Sequence, residues 1–253
     1  MNNKIQQGFS KAAISYDRFT SLHRGIADKL FIQVSKEPKP SALLDVGCGT
    51  GYLASKIKES VPQSRIIGLD FAQGMIDVAQ SKHNEIRWVL GDGNNLPFVN
   101  GTFDIVVSNL AYQWAGYLIR VFSEARRVLV SDGAFIGSLF GYSTCQELFQ
   151  SLDEAKPGVL KFSRLPDESQ VREALDLSGF KSFKVESEII KVEFKDMFDL
   201  TTWLKEIGAN NLAREGYLGS ETIVSAADIY RERFSYLKGV GATFEVIWIY
   251  AKK

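Results

Sequence analysis

Apolar residues recur every three or four positions at the start of the chain, at Ile5, Phe9, Ala13 and Tyr16, and again at Leu22, Ile26, Leu30 and Val34. That spacing lines them along one face of a helix, so two amphipathic helices are expected ahead of the first strand. Pro38, Pro40 and Ser41 break the pattern. The run ALLDV (42–46) then follows, short and mostly apolar, as a buried parallel strand would be.

From there strand-like and helix-like segments alternate. Strands are predicted at RIIGLD (65–70), IRWVL (86–90), FDIVVS (103–108) and GAFIGSL (133–139), with helices between them at 53–58, 75–82 and 118–129. A further helix at 166–178 ends at Gly179, a suitable C′ glycine. Alternation of this kind implies right-handed βαβ units and a parallel sheet covered on both faces, hence an α/β fold. FKVESEIIKVEF (183–194) alternates charged and apolar residues as an edge strand does, and TFEVIWIYA (243–251) reads as a final buried strand. Between them 196–238 reads as helical with a GANN break at 208–211, too long for a connection and too short for a domain. The expected organisation is therefore one domain, 1–253. It comprises a helical cap (1–37), a sheet core (42–195 and 240–253) and a helical lid inserted at 196–239.

Composition narrows the class. The 253 residues are 45% hydrophobic and 24% charged, ordinary for a globular chain. A formal net charge of zero argues against a protein that grips nucleic acid through many uncompensated cations. The first 44 residues lean basic, with Lys4, Lys11, Arg18, Arg24, Lys29, Lys36 and Lys39 against Asp17, Asp28 and Glu37. Either a solvated helix pair or a docking face for an acidic partner accounts for this. No window approaches the ~20 apolar residues of a membrane span, and MNNKIQQGFSK has no apolar run, so a cytoplasmic location is expected. Cys48 and Cys145 are the only cysteines and lack neighbours at metal-ligand spacing, so neither a disulfide nor a metal site is expected.

Candidate chemistry gathers at the predicted strand ends. In LLDVGCGTG (43–51), Gly47, Gly49 and Gly51 supply a tight turn directly after the first strand, where backbone can approach a ligand closely. Gly49, Gly51 and Ala54 also match G-x-G-x-x-A, so a dinucleotide site is the rival. Asp45 weighs against it, because a carboxylate there disfavours a pyrophosphate and suits a cationic amine. Asp70 ends the second strand and can accept from a ribose diol, in either type of site. In GDGNNLPF (91–98), Asp92 is either a loop residue or an acceptor for the exocyclic amine of adenine. Asn109 to Trp114 leave the fourth strand, and the amides of Asn109 and Gln113 need partners there.

At these residues the chain resembles class I methyltransferases over nearly its whole length. Within them it is similar to the malonyl-[acyl-carrier protein] O-methyltransferases of biotin synthesis, on FSKAAISYD (9–17), SNLAYQW (108–114), SLFGYSTCQEL (138–148), LPDESQVREAL (165–175) and WLKEIGAN (203–210). The resemblance implies a Rossmann-like, seven-stranded, mostly parallel sheet whose last strand is antiparallel, and S-adenosyl-L-methionine as cofactor. It implies a cofactor pocket lined by Asp45, Gly47, Gly49, Asp70, Asp92 and Gly93, with Phe71 and Met75 against the adenosine. Cys48, Asn94, Asn109 and Arg24 complete the expected set. Tyr16 is expected to close over the methyl site, with Asn109 and Gln113 as positioning residues. The chain departs from the family pattern at Tyr112, usually small or aliphatic, and at His23, usually Gln.

The implied reaction caps the free carboxylate of a malonyl thioester, on acyl carrier protein or coenzyme A, as a methyl ester. A carboxylate of pKa ~4 is already ionised at neutral pH, so alignment and exclusion of water are needed rather than a general base. His23 and His83 are the only histidines and are both expected at the surface. Arg24 and Arg214 are candidates to pair with a carboxylate of substrate or cofactor. A methyltransferase acting on another small molecule, such as a polycarboxylic acid or a quinone ring, is the nearest alternative. A non-catalytic S-adenosylmethionine-binding module is the alternative from another class.

Overall fold

The computed structural model describes residues 3–158, 161–162, 165–209, 213–215 and 219–253. Asn210 and Asn211 of the anticipated GANN break lie outside the described residues, as does the side chain of Arg214.

Two helices, α1 (Asn3–Tyr16) and α2 (Ser21–Val34), precede the sheet. Then come β1 (Ala42–Val46), α3 (Tyr52–Ser60), β2 (Arg65–Asp70), α4 (Gln73–Lys82), β3 (Arg87–Leu90), β4 (Phe103–Asn109), α5 (Leu118–Val128) and β5 (Leu129–Phe140). The second half holds α6 (Gln146–Ala155), β6 (Lys161–Phe162), α7 (Glu168–Leu177), β7 (Ser182–Phe194), α8 (Met197–Glu206), β8 (Ala213–Glu215), α9 (Ser220–Arg233), β9 (Ser235–Tyr236) and β10 (Gly239–Lys252).

The strands line up in the order β3-β2-β1-β4-β5-β10-β7. The first five are parallel, and β10 runs antiparallel to both β5 and β7. The order reverses between β1 and β4, where ligands bind in open α/β sheets. β7 is the edge strand, as its alternating charges predicted. The Rossmann-like sheet of seven strands with N-terminal helices is thus the observed architecture.

Strand residues alternate between two cores because successive Cβ atoms point to opposite faces. Leu43, Ile105, Val107 and Ile136 pack against Leu30 of α2 and Leu53 and Ile57 of α3. Leu44, Val106, Phe135 and Ile247 pack against Phe122 of α5 and Val171 and Leu175 of α7. Asp45 follows the same alternation. It is buried and projects toward α2 and α3, with Leu43. A third core joins α6, α8 and α9 to the first half of β10.

Two segments differ from the sequence reading. The stretch 196–238 carries α8 and α9 but also β8, paired with β6, and β9, which folds back on β10. Helix α6 was not anticipated. Its apolar residues are few, with Gln146, Glu147 and Gln150 interleaved, and Glu147 is buried by accepting from the N–H and hydroxyl of Thr243.

Helix α1 is held over the carboxyl edge by contacts that tolerate no extra atom. The Gln6 amide donates to Phe71 O at 2.6 Å, and a Cβ on Gly74 would collide with the carbonyl of Ser10. Gly74→Ala is therefore expected to destabilise the protein by roughly 1–3 kcal/mol through overpacking. Denaturant unfolding measures the loss, and hydrogen exchange should rise first in residues 3–16.

Candidate functional site

Three adjoining cavities open at the carboxyl edge. The first lies between α2, β1 and the glycine turn, lined by Arg24, Asp45, Gly47, Cys48, Gly49 and Asn109 among others. The turn takes its shape from glycine. Gly47 sits at φ +75°, and a Cβ there would collide with that of Ala111 in the turn after β4. Asp70 fastens the same turn to β2, accepting from Gly49 N at 2.9 Å and from Ala72 N at 2.8 Å. Each oxygen of the buried carboxylate keeps acceptor capacity beyond these bonds.

Both Asp45 carboxylate oxygens are shielded from solvent and lack a side-chain partner among the described residues. Burial, reinforced by the neighbouring Asp70 charge, pushes its pKa up to about 7. Burial likewise raises Asp70 to about 6, against the opposing pull of its backbone N–H bonds. Such an unpaired acid is costly unless a cation reaches it. Arg24, lining the same cavity, has one guanidinium nitrogen 3.3 Å from Asp17 and its Nε shielded, with no partner among the described residues. The guanidinium also stacks 5.0 Å from the Tyr52 ring centroid. An acid with no cation beside a cation with spare donors suits an amino-acid zwitterion.

The second cavity continues past β2 and is lined by Asp70, Phe71, Met75, Gly93, Asn94 and Tyr112, among others. Asp92 does not line it. Its Oδ1 accepts from both the backbone N and Nδ2 of Asn94 at 2.8 Å, closing its own turn. Tyr112 brings a buried hydroxyl without a partner among the described residues, its ring stacked 5.5 Å from that of Phe135.

The third is a chamber of about 680 Å³ walled mainly by aromatic and aliphatic side chains. It meets the second cavity at Phe9, Tyr16, Leu110 and Trp114, and Tyr16 lines all three. Leu110 holds φ +51°, a left-handed conformation rare for leucine, with its N–H bonded to Ser138 O at 2.9 Å. The Asn109 amide is already committed. Its oxygen accepts from Ser138 Oγ at 2.9 Å and its Nδ2 donates to His23 O at 3.2 Å. Gln113 donates to Leu110 O at 2.7 Å and leaves a shielded Oε1 with no partner among the described residues. His23, expected on the surface, instead lines the chamber with its Nδ1 shielded.

Sequence reasoning missed His23, Tyr112 and the chamber walls from Phe140, Phe149, Trp203 and Phe244. Tyr112, Phe140 and Trp203 stood in segments that carried the family resemblance, and His23 and Tyr112 were departures from the family pattern. Phe149 and Phe244 gave no local signal, because an aromatic residue facing a chamber has the same spacing as one facing a core.

This arrangement, a sheet reversing beside a glycine turn with acidic ends on β1 and β2, defines an S-adenosylmethionine-dependent methyltransferase. A model described as a methyltransferase domain matches residues 43–133. The chain is 32% identical to a malonyl-[acyl-carrier protein] O-methyltransferase of Geobacter sulfurreducens, covering 99% of this chain and 98% of that protein. It is 33% identical to one of Hahella chejuensis, covering 99% and 90%. Among solved structures, the YcgJ protein of Bacillus subtilis superposes with a TM-score of 0.65 at 16% identity, over 90% of this chain and 97% of that one. The chain belongs to the malonyl-[acyl-carrier protein] O-methyltransferase family, within the methyltransferases that use S-adenosylmethionine. The unpaired Asp45 and the glycine turn fit that cofactor, whose amino-acid end would be held by Asp45 and Arg24 and whose ribose by Asp70.

A pH dependence follows. A cofactor ammonium beside Asp45 lowers the raised pKa, so binding releases a proton at any pH between the bound and free values. Affinity is expected to tighten by up to about tenfold per pH unit as pH rises toward about 7, the value of Asp45 in the empty site, and then level off. In the empty protein the sign is opposite, since ionising these buried acids over that range weakens the fold. Calorimetry in buffers of different ionisation enthalpy counts the protons. Asp45→Asn should remove most of the slope.

Proposed function

We propose that the protein transfers a methyl group from S-adenosylmethionine to the free carboxylate of a malonyl thioester, carried by acyl carrier protein or coenzyme A, in biotin synthesis. The observation that carries the reading is the chamber itself, which joins the cofactor cavities at Tyr16 and, among the described residues lining it, presents no histidine, cysteine or carboxylate poised to abstract a proton. Cys145 is pushed up to about 12 by burial and Tyr16 is raised by burial beside Asp70, so both stay protonated. His23 is driven down to about 4 by burial, too weak a base for hydroxyl or carbon acids. Asp153 is exposed at the open side, its Oδ1 taken by Gly158 N. An acceptor that arrives already ionised is what such a chamber suits, and full-length likeness to malonyl-carrier methyltransferases supports the same choice.

When bound, the cofactor would supply a methyl group on a cationic sulfur, for transfer to the carboxylate oxygen with the S–CH₃ electron pair left on sulfur. The protein's part is alignment and dryness. Tyr16 and Phe9 close the junction from α1, while Trp114 and Leu110 close it from the turn after β4. Apolar walls keep water from the reacting atoms, so proximity and desolvation lower the barrier. In this reading the segment 196–239 acts as the lid. Asn109 acts as a positioning residue, its side-chain amide tying β4 to Ser138 Oγ of β5 and to the His23 carbonyl of α2.

Incubation with methyl-labelled cofactor and malonyl-acyl carrier protein is expected to place label on the malonyl group as a base-labile ester. Acetyl-acyl carrier protein, lacking the free carboxylate, should remain unlabelled. Folded protein that binds the cofactor yet labels neither would overturn the reading. Methylation of a free polycarboxylic acid or a quinone instead would name the alternative acceptor.

A further inference from the structure

His23 stands in the first turn of α2 with its imidazole inside a cage of three rings. The centroids of Tyr16, Phe140 and Trp203 lie 6.0, 5.7 and 5.9 Å from its own. Its Nδ1 is shielded and has no partner among the described residues. Aromatic carbons offer no strong acceptor, so the neutral ring should carry its proton on the other nitrogen, where a partner can arrive. An orphaned lone pair is tolerated better than an orphaned N–H. Nε2–H is therefore the donor left for a ligand.

Its location is equally specific. His23 and Tyr16 are the only described residues that line both the Asp45 cavity and the chamber. That places His23 where the amino-acid end of the cofactor and the acceptor meet. The chamber lining holds no lysine or arginine among the described residues. The other titratable groups facing the chamber are Tyr16, Tyr142, Cys145 and Asp153, and those facing the first cavity include Asp17, Arg24 and Asp45. None is bonded to the imidazole. A bond from Asn109 Nδ2 to the His23 carbonyl holds its backbone in place.

We propose that His23 binds the acceptor, donating an imidazole N–H to the attacking carboxylate. The assignment rests on the malonyl-thioester reading above. Burial keeps the ring uncharged. An uncharged donor grips an anion without setting a second cation beside the sulfonium, which a lysine or arginine would do. The same donor discriminates between acid and ester, since the methylated product is a weaker acceptor.

The test compares His23→Phe, which fills the ring cage without an N–H, with His23→Gln, which keeps a donor. For His23→Phe the KM for malonyl-acyl carrier protein is expected to rise roughly 10- to 100-fold, the worth of a hydrogen bond to a charged group. Cofactor affinity and thermal unfolding should stay near wild type, and so should affinity for the neutral methyl-ester product. His23→Gln should recover most of the acceptor KM. A His23→Phe enzyme with unchanged acceptor KM overturns the inference while leaving the reaction intact. Equal losses toward acid, ester and cofactor would mark a packing role and overturn it as well. If wild-type protein forms no malonyl ester at all, the reading of the reaction fails first and takes this inference with it.

Discussion

The buried carboxylate of Asp70 is the constraint on which the site depends. It ends β2 with almost no exposure and takes backbone N–H groups from Gly49 and Ala72, pinning the turn after β1 to the turn after β2. Burial alone disfavours a charge there, as its raised pKa reflects. Two backbone donors reduce that penalty, and they hold the glycine turn open in doing so. With the turn held, Gly47 can lie against Ala111, and the segment after β4 closes the cavity floor. Removing this acid would leave two donors unpaired as well as a binding group lost.

Asp17 does for the helical cap what Asp70 does for the sheet edge. Just beyond α1, it accepts from Thr50 Oγ1 at 2.7 Å, pairs with Lys82 at the end of α4, and lies 3.3 Å from Arg24 of α2. Partial burial works against its charge, but Lys82, Thr50 and Arg24 together hold its pKa below the ordinary carboxylate range. The tie therefore holds at neutral pH and weakens as acid protonates it. Through it, the glycine turn, α4 and both cap helices meet at one side chain, one residue after Tyr16. The wall shared by all three cavities is set by electrostatics as much as by packing.

The sheet was legible in the sequence because parallel strands buried on both faces leave continuous apolar runs, and ALLDV and RIIGLD match β1 and β2 residue for residue. Glycines at 47, 49 and 51 were legible because their positive φ angles have few other tenants. The chamber was not. It assembles Tyr16, Phe140, Trp203 and Phe244 from elements far apart in sequence, and nothing local separates a lining ring from a core ring. Asn109 illustrates a second limit: an amide at a strand end needs partners, but whether protein or ligand supplies them is a tertiary fact. Here Ser138 and the His23 carbonyl supply them. Leu110 illustrates a third, since its left-handed backbone contradicts its residue type and is sustained by its N–H bond to Ser138 of β5 and by Gln113 Nε2, which donates to its carbonyl.

The apolar character of the chamber suits the proposed chemistry on grounds of charge. A carboxylate meeting a sulfonium gives a neutral ester and a neutral thioether, so charge disappears along the reaction path. A reaction that consumes charge is favoured by a medium that solvates ions poorly, provided the ions can be brought in. In the proposed reading Asp45 and Arg24 offer that provision at the amino-acid end of the cofactor, and the uncharged donor at His23 offers it at the acceptor. A strongly cationic acceptor pocket would bind the carboxylate more tightly but stabilise the charge that must vanish, raising the barrier it was meant to lower. Scarcity of charged groups among the described residues lining the chamber then serves the proposed chemistry, with binding that grows no stronger in the ground state than the transition state can return.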